Sequence, residues 1–332
     1  MQGTIVLRHR PRLCMGAAIA GKKEGEGPLG SGFDQVIQDD LFSEESWEKA
    51  ECRFFYTAAD TCIRKAGLTH QQVDVMLGGD LLNQITSASM AARELKIPFL
   101  GLYGACSTMA ESLLVAATLV DGGYADRAAA MTSSHFAAAE RQYRQPLEYG
   151  GQRPPTAQWT VTGAGCVILG GEGSIRVGCA TVGCVIDKGI RDANNMGSAM
   201  APAAYETLRQ HLADTGRSPE DYDLIATGDL GGIGRDLLLA LADAAGIDLP
   251  PEKLIDCGAS LYYQEQDTHA GGSGCGCVAS VSCSWLMKRM EAGELNRLLL
   301  VGSGAMLSPT SSQQGQSVPG IAYAACIERS NV

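Results

Sequence analysis

The chain has 332 residues, 45% of them apolar and 19% charged, with a formal net charge of -11 and a pI near 5.0. A chain of this length buries about three quarters of its unfolded surface, so it needs neither metal nor disulfide to fold, and its composition excludes disorder. The acidic balance argues against nucleic acid as a partner, because phosphate binding needs a basic face.

The opening MQGTIVLRHRPR lacks the apolar stretch of a secretory leader, and no later run approaches the roughly 18 apolar residues of a membrane span. The expectation is a soluble chain, cytoplasmic or held at a membrane only through protein partners. There are 12 cysteines. Several, such as Cys166 and Cys326, sit inside apolar runs and read as small core hydrophobes of a reducing compartment. Trp47 to Lys65 has the pattern of an amphipathic helix; a turn and an apolar strand follow, ending at Gly79-Asp80-Leu81. The helix after Cys106 is apolar almost all round, with Glu111 its only charge before Asp121, so burial on every side is expected. A strand from Arg127 to Ser133 runs into TSSHF, and the glycine-rich strand Trp159 to Leu169 comes near the end of the first half.

The second half repeats this order. Gly216 to Leu230 (GRSPEDYDLIATGDL) aligns without gaps on Gly67 to Leu81 (GLTHQQVDVMLGGDL), pairing Asp223 with Asp74 and Asp229 with Asp80. Glu291 to Met306 then aligns on Asp121 to Phe136, pairing Arg297 with Arg127. Ala203 to Ala213 reads as the helix before the first aligned pair, and the extra residues of the second copy fall within Gly258 to Gly272. Two duplicated α/β halves, 1–175 and 176–332, with the apolar helices after Cys106 and from Cys277 to Met287 between their sheets, make a five-layer αβαβα sandwich.

A cysteine at the start of the buried first-half helix, in GACST (Gly104 to Thr108), together with WTVTGAGCVIL, resembles the thiolase and β-ketoacyl synthase superfamily. GKKEGEGPLG (Gly21 to Gly30), GGDLLNQ (Gly78 to Gln84), IPFLGLYGACST (Ile97 to Thr108), TSSHF, EYGGQRPPTAQWTVTGAG (Glu148 to Gly165) and AGGSGCGC (Ala270 to Cys277) resemble more closely the stage V sporulation protein AD family of spore-forming bacteria. This resemblance implies a thiolase-like fold without established condensing activity. It also implies binding of dipicolinate, alone or with calcium, during uptake into the forespore, with sporulation membrane channel proteins as partners. The superfamily resemblance further implies a homodimer paired through a first-half strand, for which Arg127 to Ser133 is the candidate.

Cys106 opens a helix, where free N–H groups and the dipole lower a thiol pKa and favour anions. It reads as a thiolate nucleophile, as a pocket wall whose amides near Ser107 and Thr108 hold a carboxylate, or as a small buried residue. Condensing enzymes add two polar residues from second-half loops. Here Asp229 stands where a His is expected, and the later loop offers His269 and no Asn. His269 is thus the one candidate base if the chain is an enzyme, and the departure favours a degraded site reused for binding. Asp80 and Asp229 read as helix caps, or as pocket carboxylates or calcium ligands. His135 reads as a structural imidazole or a donor to a ligand carboxylate. Lys22, Lys23, Arg141, Arg144 and Arg153 read as surface charge, yet a dianion needs such cations, and Lys23, Arg141 and Arg144 are the candidates. Cys275, Cys277 and Cys283 with His269 match no standard zinc spacing, so neither metal nor cofactor is expected. The alternatives are an active acyltransferase with Cys106 as nucleophile, and a purely structural channel component.

Overall fold

The computed structural model describes residues 3–143 and 153–330. The first half runs through β1 (Thr4–Val6), β2 (Arg12–Gly21), α1 (Lys22–Gly25), β3 (Gln35–Ile37), α2 (Trp47–Lys65), β4 (Val75–Gly79), α3 (Thr86–Leu95), β5 (Phe99–Gly101), α4 (Thr108–Asp121), β6 (Ala128–Ser134), α5 (Phe136–Tyr143), β7 (Trp159–Thr160) and β8 (Gly163–Gly170). The second half follows with β9 (Ile175–Val182), α6 (Met196–Thr215), β10 (Leu224–Thr227), α7 (Gly231–Ala244), β11 (Leu254–Asp256), α8 (Cys257–Ser260), β12 (Gly272–Ser273), α9 (Cys275–Val281), α10 (Met287–Glu291), β13 (Arg297–Ala305), α11 (Pro309–Gln313) and β14 (Gly320–Arg329).

The strands order as β5-β4-β6-β8-β2 in one half and β11-β10-β13-β14-β9 in the other. In each, the β4-type strand pairs parallel with both neighbours, and the remaining ladders are antiparallel. The sheets meet at a short seam, where Arg12 and Leu13 pair with Arg176 and Ile175. β1 crosses over to pair with β9, while β3 adds to β2.

α4 packs on β4 and β6 of one sheet and on β13 and β14 of the other, and α9 lies beside it against β6 and β8. α2 and α3 cover the outer face of the first sheet; α6 covers that of the second, with α7 packed on α6 and β11. That is the five-layer αβαβα sandwich. The central layer is tight because small residues let helix and strand backbones meet: a Cβ on Gly165 of β8 would lie 2.3 Å from the Ala279 carbonyl of α9. The duplication also shows in local chemistry. Asp74 accepts the backbone N–H groups of Asp126 and Arg127, and Asp223 accepts those of Asn296 and Arg297.

Three expectations change. The second-half helix begins at Met196, earlier than Ala203: Asn195 caps it by accepting the Ser198 N–H, and Pro202 lies inside it. The rod that starts as α9 passes through a π turn, Ser282–Leu286, before α10. The strand expected at a dimer edge, Arg127 to Ser133, is interior: β6 is paired on one side by β4 and on the other by β8. The unpaired edge of the first sheet is β5, with Leu100 45% exposed. Among the described residues no helix is long and apolar enough to cross a membrane.

Candidate functional site

The loop before α4 aims Cys106 between the two halves. Ala105 takes a left-handed conformation, φ 52°, which is strained for a residue with a Cβ. Side-chain bonds hold the turn: Ser107 Oγ donates to the Gly104 carbonyl at 2.6 Å, and Thr108 Oγ1 donates to the Ala105 carbonyl at 2.7 Å. β13 presses on this loop at Gly304, where an added Cβ would stand 2.2 Å from the Gly104 carbonyl and 3.1 Å from the Cys106 nitrogen.

Cys106 opens onto a narrow cleft that is partly open to solvent. Its described walls are mostly apolar, with Leu81, Ala139, Met196 and Leu307 prominent, and Glu140, Thr160, Tyr143 and Ser273 are its polar members. Thr160 Oγ1 donates to Glu140 Oε1 at 3.3 Å, and Tyr143 donates to the Leu81 carbonyl at 2.6 Å. Glu140 is itself buried. Behind Cys106 stands Asp229, wholly buried. Its Oδ2 accepts the Gly274 N–H at 2.7 Å, while Oδ1 makes no hydrogen bond of good geometry. Burial, and secondarily the neighbouring Cys106 and Gly274 N–H acting against it, leave the Asp229 carboxyl raised to about 7.

The structure corrects several expectations about this site. The Cys106 thiol lies well above its ordinary pKa, first because it is buried and then because Asp229 faces it; the helix start does not make it a thiolate. The amides of Ser107 and Thr108 already turn onto the Gly104 and Ala105 carbonyls, and both residues are wholly buried, so they hold the loop rather than line the cleft. His269 lines a separate cavity beside Tyr262 and Tyr263, 3.6 Å from Asp267, and does not reach the Cys106 cleft. His135 is buried with its ring occupied: Nε2 donates to the Asp40 carbonyl at 2.7 Å, and Nδ1 faces the Ala138 N–H at 3.4 Å. Asp80 accepts the N–H groups of Leu82 and Ala88, each at 2.7 Å, at the entry to α3.

The candidate cations lie elsewhere. Lys23 donates to the Gln266 carbonyl at 2.7 Å and rests 4.1 Å over the Trp159 ring, which stacks on Phe136. Arg153 lies over the same ring and donates to the Asp267 and Thr268 carbonyls. Arg141 pairs with Glu48 and lies over Trp47. Lys22 faces Glu26 on the surface. Arg144 lies outside the described residues. None of Lys23, Arg141 and Arg153 lines the Cys106 cleft. Among the described residues no group of three or more His, Cys, Asp or Glu is placed to hold a metal ion. Glu140 escaped the sequence reading, although a carboxylate in the alanine-rich segment FAAAERQY is the kind of local misfit that marks a buried polar position.

Solved structures with the same architecture include 3-oxoacyl-[acyl-carrier-protein] synthase III from Aquifex aeolicus VF5, 13% identical, covering 96% of this chain and 99% of that one with a TM-score of 0.58. Cerulenin-bound OleA from Xanthomonas campestris is 12% identical, covers 98% of each chain and has a TM-score of 0.59. These likenesses carry the thiolase-like fold alone. In sequence, stage V sporulation protein AD of Bacillus subtilis (strain 168) is 47% identical over 327 residues, 98% of this chain and 96% of that protein. The stage V sporulation protein AD family model matches residues 1–328. The chain therefore belongs to the stage V sporulation protein AD family, on a thiolase-like fold.

Proposed function

We propose that the chain is a sporulation protein that binds dipicolinate, alone or with calcium, in the Cys106 cleft, during uptake into the forespore, and carries out no acyl chemistry. The supporting observation is the mostly apolar cleft at Cys106 in a chain of the stage V sporulation protein AD family. The pyridine ring, part of a ligand of about a dozen heavy atoms, suits walls such as Leu81, Ala139 and Leu307.

The absence of acyl chemistry follows from the protons. A condensing nucleophile needs a thiolate and neutral donors for an oxyanion. Here the thiol is held protonated beside a carboxyl group, and among the described residues no imidazole lines its cleft. Sporulation membrane channel proteins are the proposed partners, and a second copy paired along the exposed β5 edge is the proposed assembly.

Calorimetric titration tests the reading. Dipicolinate should bind saturably to wild type, titrated once with equimolar calcium and once with a calcium chelator present. Tighter binding with calcium would mark the calcium complex as the ligand, and equal binding would mark the free dianion. No binding in either case would favour a structural channel component. A stable acyl adduct on Cys106 after incubation with acyl thioesters would restore the acyltransferase reading.

A further inference from the structure

Away from this cleft, β9 and β14 bring two cysteines face to face. Cys179 and Cys326 are direct partners in the antiparallel ladder. Opposed residues in such ladders have Cα atoms about 4.5–5.5 Å apart, within the roughly 4.4–6.8 Å that a disulfide spans. The register shifts just beyond them, where Ile327 pairs with Val177 and leaves Gly178 as the extra residue of a bulge.

The surroundings of the pair are built from charged and polar groups. Arg217 Nη1 donates to Cys326 Sγ at 3.0 Å, and its Nη2 donates to Glu328 at 2.9 Å. Glu328 also holds Arg297 and Arg176. Arg217 lies over the Tyr222 ring, Tyr222 is hydrogen-bonded to His211 at 2.8 Å, and His211 to Thr181 at 2.7 Å. His211 stays neutral there, lowered to about 4 by burial and then by Arg217. Cys179 keeps 5% of its surface exposed, while Cys326 keeps none.

We propose that Cys179 and Cys326 form a peroxide-sensitive dithiol that closes to a cross-strand disulfide in the folded protein. Cys326 Sγ donates to Glu328 Oε1 at 3.8 Å, while Cys179 is the more accessible of the two and its thiol pKa is lowered beside Cys326, which makes Cys179 the attacking group. Its thiolate displaces one oxygen of a hydroperoxide, giving a sulfenic acid and an alkoxide that takes the Cys326 proton. The Cys326 thiolate, held by the Arg217 guanidinium, attacks the sulfenic sulfur and expels hydroxide, which gains the proton Cys179 had released. In sum, two thiols and one hydroperoxide give one disulfide, one alcohol (water, from hydrogen peroxide) and one water. A second adjacent pair, Cys62 and Cys166, is wholly buried and serves as an internal comparison.

The test uses the full chain, folded, with a few equivalents of hydrogen peroxide, then alkylation and digestion without reductant. Mass spectrometry should find a 179–326 cross-link that dithiothreitol removes, with 62–166 still reduced. Cys326→Ser should stop the cross-link and leave a sulfenic acid at Cys179 that dimedone traps. Arg217→Gln should slow closure about tenfold at pH 7 and move its pH profile upward. Recovery of Cys179 and Cys326 as free thiols from oxidised, folded wild type would overturn the proposal. So would cross-linking of 62–166 at the same rate, because that marks oxidation through unfolding.

Discussion

Asp229 occupies in the second half the place of Asp80 in the first, yet the two carboxylates hold different partners. Asp80 gathers the N–H groups of Leu82 and Ala88 at the start of α3. The corresponding duty at α7 has passed to Asp256, which accepts from Leu230, Gly231 and Ala259. Asp229 is left with the Gly274 N–H and, across from it, the Cys106 thiol.

This divergence sets a pH dependence. Burial raises Asp229 and Glu24 to about 7 and Asp80 to about 6. The folded chain therefore holds protons that the unfolded chain releases from about pH 4 upward. The stability these groups contribute is complete below the unfolded value and is lost as pH rises through 6 to 7. Asp229→Asn keeps the acceptor for Gly274 and removes one titration. Urea unfolding at pH 5 and pH 8 should show a stability difference smaller than that of wild type by about 1–4 kcal/mol. An unchanged difference would refute the assignment.

A protonated, buried Cys106 should be a slow nucleophile. In the native protein at pH 7, iodoacetamide should label the exposed Cys184 first and Cys106 at least tenfold more slowly. Peptide mapping over time measures both rates, and faster labelling of Cys106 would contradict the electrostatics described above.

Asp74 and Asp223 should be equivalent in energy as they are in geometry. Each binds two backbone N–H groups at the start of the next strand of its own sheet. Asp74→Ala and Asp223→Ala should each cost about 0.5–1.5 kcal/mol, because the bonds lie at the exposed rim and the freed donors regain water. Denaturant midpoints of the two variants should agree within experimental error.

The free edge at β5 makes the assembly testable. Light scattering should give twice the 34.8 kDa chain mass at micromolar concentration. Leu100→Lys places a charge on the exposed edge and should return the monomer, since edge lysines discourage strand pairing. A wild-type monomer would remove the proposal.

Much of the fold was legible because local signals and global pattern agreed. Trp47–Lys65 was read with both ends correct: Ser46 accepts from Lys49 at its start, and Gly67 follows its end. The repeat was legible because Asp74 and Asp223 fall at matching positions of the two aligned segments, and each binds the backbone at the entry to the neighbouring strand, β6 or β13. The helix before β10 was read too short: it starts at Met196, capped by Asn195, and carries Pro202 in its interior, where local propensity disfavours it and tertiary packing holds the helix. The site was legible only at Cys106, whose turn is local. Glu140, Met196 and Leu307 reach the cleft from segments far apart in sequence. The burial that keeps the thiol protonated comes from packing, which no helix-start rule contains. Of the two readings of His135 the structural imidazole holds, and His269 was misplaced because spacing does not record where a loop carries a ring once strands have paired.

The crossover of β1 bears on how the protein is made. Thr4 meets Thr181, 177 residues later, through a 2.8 Å hydroxyl contact and the β1–β9 ladder. During synthesis β1 thus emerges long before β9, the strand it pairs with. Contacts of such long sequence separation slow folding, since loop closure precedes any reward. The early segment TIV, with Val6 68% exposed even in the finished molecule, stays open to other chains throughout that wait. A ribosome-bound first half is therefore the species on which holding chaperones would act, and removing residues 1–6 should ease its solubility while leaving β9 without its outer neighbour.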